Sequence, residues 1–86
     1  MSRMIPKEIE KKIKEIFLKE KGIEPDKIKP ESLLVEDLGI DSFSAIEIIY
    51  AIEETFKIDI PGGAFKNVER FSDIVNYIDK RLKSKK

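Results

Sequence analysis

The feature that most constrains the fold is an uninterrupted helical stretch from Ser42 to Phe56. It contains neither glycine nor proline, so about four turns of helix can form without a break. Asp41 directly precedes it and predicts an N-cap, because its carboxylate can accept from the free N–H groups of the first turn. Ser42 then takes the first helical position, with its hydroxyl toward solvent. Apolar residues recur on one arc that we assign to the core: Ala45, Ile48, Ile49, Ile52 and Phe56.

Two further amphipathic helices are predicted on either side of this stretch. The first runs from about Pro6 to Lys21, and Gly22 is its C-terminal stop. The last starts near Phe71, with Ser72 as a candidate cap. Their apolar faces consist of Ile5, Ile9, Ile13, Ile16 and Phe17 in the first helix, and of Phe71, Ile74, Val75, Ile78 and Leu82 in the last.

The connections between these helices differ in character. Residues 23–40 are too interrupted by Pro25 and Pro30 to form one regular helix, and a short turn is expected near residues 31–34. Gly62 and Gly63 predict a flexible turn, followed by a short helix of a single turn at residues 64–67. Apolar residues that can attach the long connection to the core are Ile23, Ile28, Leu33, Leu34, Val35, Leu38 and Ile40.

Together these elements predict an all-α fold, a small antiparallel four-helix bundle made of three main helices and a short third one. The chain of 86 residues is expected to form one domain, residues 1–86. Its core is expected at about residues 5–82, and residues 83–86 form a basic tail.

Composition excludes most catalytic chemistry. The chain has no cysteine and no histidine, which removes disulfides, thiol nucleophiles, histidine bases and Cys/His zinc sites. We therefore expect no enzyme activity, no catalytic residues and no metal site. No apolar run is long enough to span a membrane and no signal peptide is apparent, so a cytoplasmic location is expected.

The net charge of zero conceals a segregation of charges along the chain. Residues 31–59 hold one basic and eight acidic residues, whereas the segments on both sides have a basic excess. A concentrated acidic segment favours a basic protein partner at that surface and argues against nucleic acid there.

A family motif lies where the acidic segment meets the second helix. The segment Asp37–Phe43, followed by Glu47, Glu53, Glu54, Phe56, Ile60 and Pro61, resembles the acyl carrier proteins of fatty acid and polyketide synthesis. The resemblance covers nearly the whole chain. Its centre is the family's Asp-Ser-Leu motif, in which Phe43 replaces the leucine.

The resemblance implies a covalent carrier. Ser42 would bear a 4′-phosphopantetheine arm, derived from coenzyme A and added by a phosphopantetheinyl transferase that also recognises Asp41. The thiol of the arm would hold an acyl chain as a thioester and present it to acyl-transferring and synthase enzymes with basic docking patches. A phosphate at Ser42 would also suit the positive end of a helix dipole.

A second arc of the helix predicts the surface that these partners contact. Phe43, Ile46 and Tyr50 form an apolar stripe, and Glu47, Glu53 and Glu54 border it. The alternative is that this helix is buried on a wide face. Lys80, Arg81 and Lys83 are expected on a different surface of the bundle, and a monomer is expected.

Other functions stay open at this point. A D-alanyl or aminoacyl carrier would use a similar serine, and an unmodified helical interaction module would use the same stripe. A nucleic-acid binder acting through the basic tail ranks last. Ser44 and Tyr50 depart from the residues usual in the family, which suggests an unusual set of partners.

Overall fold

Three α-helices form the framework of this computed structural model, which describes residues 5–61 and 63–84. They are α1 (Pro6–Lys21), α2 (Ser42–Phe56) and α3 (Phe71–Ser84). A short 3₁₀ helix, Pro25–Lys27, follows α1, and an isolated bridge pairs Leu33 with Arg70. Within the described residues no β-strand forms, so the predicted small all-α bundle is confirmed.

The helix ends follow from local sequence signals. Gly22 adopts the left-handed conformation at φ 71°, and its N–H donates to the Leu18 carbonyl over 2.8 Å, which ends α1 where the sequence predicts. Asp41 caps α2, whose bounds also match the prediction. At the other end of α2, Lys57 takes the left-handed conformation at φ 57° without being a glycine.

The core is centred on α1, which packs against both α2 and α3. The Phe17 and Phe71 rings meet edge to face, with their centroids 5.6 Å apart, and so join α1 to the start of α3. The fully buried large side chains are Phe17, Phe71, Ile9, Ile13, Ile48, Ile52, Ile74 and Ile78.

The long connection before α2 is held to the start of α3 by backbone hydrogen bonds. Leu34 N–H donates to the Glu69 carbonyl, and Phe71 N–H donates to the Ser32 carbonyl, each over 2.9 Å. Ile28, Leu34 and Ile40 are buried as predicted, and Ile23, Leu33 and Leu38 are half-buried. Val35 is the exception, because its side chain is 68% exposed rather than packed into the core.

Two predicted details at the C-terminal end are wrong. Residues 63–67 form consecutive turns instead of a short helix, because their hydrogen bonds span only three residues, as in Lys66 N–H to the Gly63 carbonyl. Ser72 does not cap α3, since it is the second helical residue and its N–H donates to the Pro30 carbonyl. The Asp73 carboxylate instead accepts the N–H groups of Glu69 and Arg70.

The predicted basic tail is partly helical. Residues 83 and 84 belong to α3, and Lys83 forms an ion pair with Asp79 at 3.1 Å. Residues 85 and 86 lie outside the described part of the chain, as does Gly62 of the predicted flexible turn.

Candidate functional site

The first turn of α2 presents a serine beside a capping carboxylate. The Asp41 Oδ1 atom accepts the Ser44 N–H over 2.8 Å, and Ser42 occupies the first helical position with an exposed side chain. The hydrogen bond from the Ser44 N–H, followed by one from the Ser44 hydroxyl, holds the pKa of Asp41 below its ordinary value. Asp41 therefore stays ionised at neutral pH and fixes the start of the helix.

Ser44 is buried, with only 3% of its surface exposed. The departure of Ser44 from the residue usual in the family predicts an unusual set of partners, and that prediction stays open. The buried side chain serves the cap of α2. Ser44 precedes Ile48 by four residues and Ile52 by eight. This helical spacing places Ser44 on the same buried arc of α2 and could have indicated its burial from the sequence.

An apolar cavity of about 380 Å³ opens beside Ser42. Sequence reasoning did not assign its walls to the site, because they come from three separate parts of the chain: the long connection, the start of α2 and the turns before α3. A group attached to the Ser42 hydroxyl would have this cavity next to it. The lining residues are Leu34, Val35, Ile40, Asp41, Ser42, Ala45, Phe65 and Val68.

The predicted apolar stripe on α2 is exposed. Phe43 is 70% exposed, Ile46 51% and Tyr50 66%, and Val35 lies exposed on the connection before α2. These exposures rule out the alternative that α2 is buried on a wide face. Glu54 is exposed beside the stripe, and Glu47 is half-buried.

Glu53 differs from the other glutamates of α2. It is half-buried, and its Oε2 atom accepts the N–H of Ile60, seven residues further along, over 2.8 Å. The carboxylate is therefore already engaged within the chain, whereas the sequence assigned it only to partner binding.

A larger, more polar cavity of about 700 Å³ lies at the C-terminal end of α2. It lies at the opposite end of α2 from Ser42 and is lined by charges of both signs. The smaller apolar cavity is therefore the better candidate to receive an apolar group attached at Ser42. Arg81 of α3 lines it together with Tyr50, Glu53 and Glu54. The expectation that Arg81 lies on a surface away from the stripe is therefore wrong.

Comparison with known proteins shows the family of this chain. The family model described as "Phosphopantetheine attachment site" matches residues 11–78. The chain belongs to this family. An acyl carrier protein of Campylobacter fetus is 39% identical over 67 residues, which are 78% of this chain and 87% of that protein. One from Bdellovibrio bacteriovorus is 34% identical over 76 residues, covering 88% and 97% of the two chains.

A third relative extends the similarity to another organism. The acyl carrier protein of Akkermansia muciniphila is 36% identical over 72 residues, covering 84% of this chain and 90% of that protein. Family membership makes this chain a carrier protein rather than an enzyme, with phosphopantetheine as its cofactor. Carriers of this family interact with transferase and synthase enzymes. No helix among the described residues is long and apolar enough to cross a membrane.

The start of α2 offers hydrogen-bond donors to the phosphate of a phosphopantetheine arm. Ser42 supplies an exposed hydroxyl, and no hydrogen bond among the described residues uses the N–H of Ser42 or Phe43. Free N–H groups at the positive end of a helix dipole favour an anion. The apolar cavity beside them provides a wall for an apolar cargo, so the residues present fit the family's cofactor.

Asp41 and Asp73 are expected to make the fold less stable in acid. Both accept backbone N–H groups at helix starts, which lowers the pKa of each below the ordinary 3.8. The stability they contribute is present above about pH 4 and is lost as the pH falls through the lower pKa of the folded state. The double variant Asp41→Asn, Asp73→Asn should therefore lose less stability than wild type between neutral pH and about pH 3.

Urea unfolding followed by circular dichroism at both pH values measures this difference. Asp26→Asn is the control, because Asp26 is exposed and has no hydrogen bond among the described contacts. If the double variant loses as much stability in acid as wild type does, carboxylates other than Asp41 and Asp73 cause the loss.

Proposed function

We propose that Ser42 carries the 4′-phosphopantetheine arm, and that the chain carries acyl groups as thioesters of that arm. The observation that carries this proposal is the position of Ser42, exposed at the start of α2 and opening onto the apolar cavity. Among the serines with described surroundings, Ser32 and Ser44 are buried and Ser72 is half-buried within α3. Of these four serines, Ser42 is the one whose side chain is exposed and open to a transferase.

Ser42 and the residues around it would have separate roles in a carrier. The Ser42 hydroxyl is the attachment atom, and Asp41 holds the helix start that presents it. The arm supplies a thiol, which this chain lacks because it has no cysteine. Leu34, Phe65 and Val68 line the cavity and would shield an acyl chain from water.

Loading with a phosphopantetheinyl transferase and coenzyme A tests the proposal. Intact-mass spectrometry should show the gain of one arm, and peptide mapping should place it on Ser42 rather than on another serine. An arm on a different serine, or no arm, would overturn the assignment. The absence of any arm would favour an unmodified interaction module, because such a module could also bind a partner through the exposed stripe on α2.

We also propose that partners dock on the face of α2. The docking stripe consists of Phe43, Ile46 and Tyr50, and Glu47 and Glu54 flank it. A partner with an apolar centre and a basic rim matches this arrangement, and the stripe begins next to Ser42, so one docked partner can receive the arm and contact the helix together. A carrier that visits several enzymes through one face needs that face uncovered, which favours a monomer. The cytoplasmic location stays a prediction.

Charge and apolar substitutions on this face are expected to act on different rate constants. Glu47→Lys and Glu54→Lys should slow association with the transferase and reduce its salt dependence, because charges at the rim of an interface act mainly on the rate of encounter. Ile46→Ala and Tyr50→Ala should mainly speed dissociation, because desolvated apolar contacts hold the complex. Binding kinetics over a salt series measures both effects.

Glu20→Lys is the matched control, because it makes the same charge change at an exposed position of α1. It should leave both rate constants near their wild-type values. Slower association with Glu20→Lys, combined with unchanged association for Glu47→Lys and Glu54→Lys, would move the docking face from α2 to α1.

A further inference from the structure

Val35 is the large apolar side chain that the connection before α2 leaves exposed. Its exposed fraction is 68%, close to the 70% of Phe43, which directly follows Ser42. Leu34, its neighbour in the chain, is buried. Val35 therefore does not serve the core, and it lies outside the docking stripe on α2.

The backbone of the connection fixes Val35 in this exposed position. The Gly39 N–H donates to the Val35 carbonyl over 3.1 Å, and the Asp37 N–H donates to the Leu33 carbonyl over 2.9 Å. The Asp37 Oδ2 atom accepts the Leu33 N–H in return, over 2.8 Å. Val35 is thus presented by a hydrogen-bonded turn, so a partner meets it in a defined place.

Ser42 lies between Val35 and the docking stripe. At about 100° per residue, Ala45 is about 60° from Ser42 in one direction around α2, and Ile46 is about 40° away in the other. Val35 lines the apolar cavity together with Ser42 and Ala45. It is therefore on the Ala45 side of the serine, whereas the docking stripe is on the Ile46 side.

The chemistry around Val35 repeats that of the docking stripe. Glu36 and Asp37 follow Val35 in the chain, both are exposed, and neither forms an ion pair among the described residues. The docking stripe has the same combination, an exposed apolar centre with carboxylates beside it. A partner with an apolar centre and a basic rim therefore finds matching chemistry on both sides of Ser42.

We propose that Val35 is a second docking residue, which the phosphopantetheinyl transferase contacts and which determines specificity for that enzyme. The inference rests on the proposed function, because the transferase acts at Ser42. This enzyme must bring a phosphate of coenzyme A within bonding distance of the Ser42 hydroxyl, so its surface meets both sides of the serine. An enzyme that acts on the thiol at the far end of the arm makes no such approach, and its contacts stay on the docking stripe.

The kinetics of loading by a phosphopantetheinyl transferase with coenzyme A test this contact. Val35→Ser should raise KM about fivefold and leave kcat within about twofold, because it removes an apolar contact made on docking. Val35→Ile keeps an apolar side chain and should lose much less than Val35→Ser. Urea unfolding of both variants should match wild type, because the Val35 side chain is exposed.

Ile5→Ser is the matched control for Val35→Ser. Ile5 is also an exposed aliphatic residue, at 55%, and it precedes α1 at the N-cap position, where serine is favourable. Its KM for loading should stay within about twofold of wild type. An increase in KM as large as that of Val35→Ser would assign the effect to apolar surface in general and overturn the contact.

The specificity is tested on the arm-bearing protein. Wild type and Val35→Ser are first loaded to completion and then given an acyltransferase that moves an acyl group from coenzyme A to the thiol of the arm. The kcat/KM of this second enzyme should agree between the two proteins within about twofold. Tyr50→Ala, in the docking stripe, should lower kcat/KM for both enzymes.

Each result decides one part of the inference. A wild-type KM for loading of Val35→Ser overturns the contact, and an equal loss with the acyltransferase overturns the specificity. If wild type gains no arm, the proposed function fails. The affinity of unloaded wild type and Val35→Ser for the transferase, measured by titration calorimetry without coenzyme A, then still decides whether Val35 is a docking residue.

Discussion

Ser42→Ala is expected to abolish loading, so that transferase and coenzyme A leave its intact mass unchanged while wild type gains one arm. The reason is chemical, since alanine has no hydroxyl to form the phosphodiester. The fold should survive the change, because Ser42 is exposed and its side chain makes no hydrogen bond among the described contacts. The free energy of unfolding should shift by no more than about 0.5 kcal/mol.

Ser44→Ala is the matched control for this experiment. It removes a hydroxyl two residues away on the same turn of α2, but this hydroxyl is buried and faces Asp41. Loading of Ser44→Ala should therefore resemble that of wild type. An arm found on Ser42→Ala, or a loss of helical circular dichroism in that variant, would contradict the assignment of Ser42 as an exposed attachment point.

The helix bounds could be predicted because local signals determine them. A glycine at the end of α1 supplies the left-handed turn, and Asp41 supplies the cap at the start of α2. The absence of glycine and proline from Ser42 to Phe56 leaves no break in between. The exposure of Ser42 follows from the cap alone, whereas its role as the attachment site was implied by the resemblance of the surrounding residues to acyl carrier proteins.

Features that depend on distant contacts could not be predicted in the same way. The bond from Ile60 to Glu53 is made between an amide beyond the end of α2 and a side chain within it, so no helical periodicity indicates it. The apolar cavity likewise combines Leu34, Ala45 and Phe65, which are far apart in the sequence. These residues come together only through the tertiary fold of the chain.

Val35 and Arg81 were misplaced for a related reason. An apolar residue in a long connection is most simply expected in the core, yet Val35 is 68% exposed near the start of α2. A basic residue near the C-terminus is most simply expected away from an acidic face, yet Arg81 lines the same cavity as Glu53. Both assignments depend on how one segment packs relative to another helix. The spacing of residues within a single helix gives no information about that packing.

Ile52→Ala is expected to reduce the free energy of unfolding by about 2 to 5 kcal/mol, the range for truncating a fully buried isoleucine. The Ile52 side chain has 0% exposure and lies in the core that α1 shares with α2. Alanine would leave a cavity there in addition to the lost burial. Urea unfolding followed by circular dichroism, with wild type and variant in the same buffer, measures the difference.

Ile46→Ala makes the same truncation six residues earlier on the same helix, where the side chain is 51% exposed. At about 100° per residue the two positions are about 120° apart around α2, so a single rotation of the helix cannot bury both fully. Ile46→Ala should therefore cost less than about 0.5 kcal/mol. The reverse result, a small loss for Ile52→Ala and a large one for Ile46→Ala, would show that the docking stripe belongs to the core. The partner face would then have to lie elsewhere, even if Ser42 were loaded as expected.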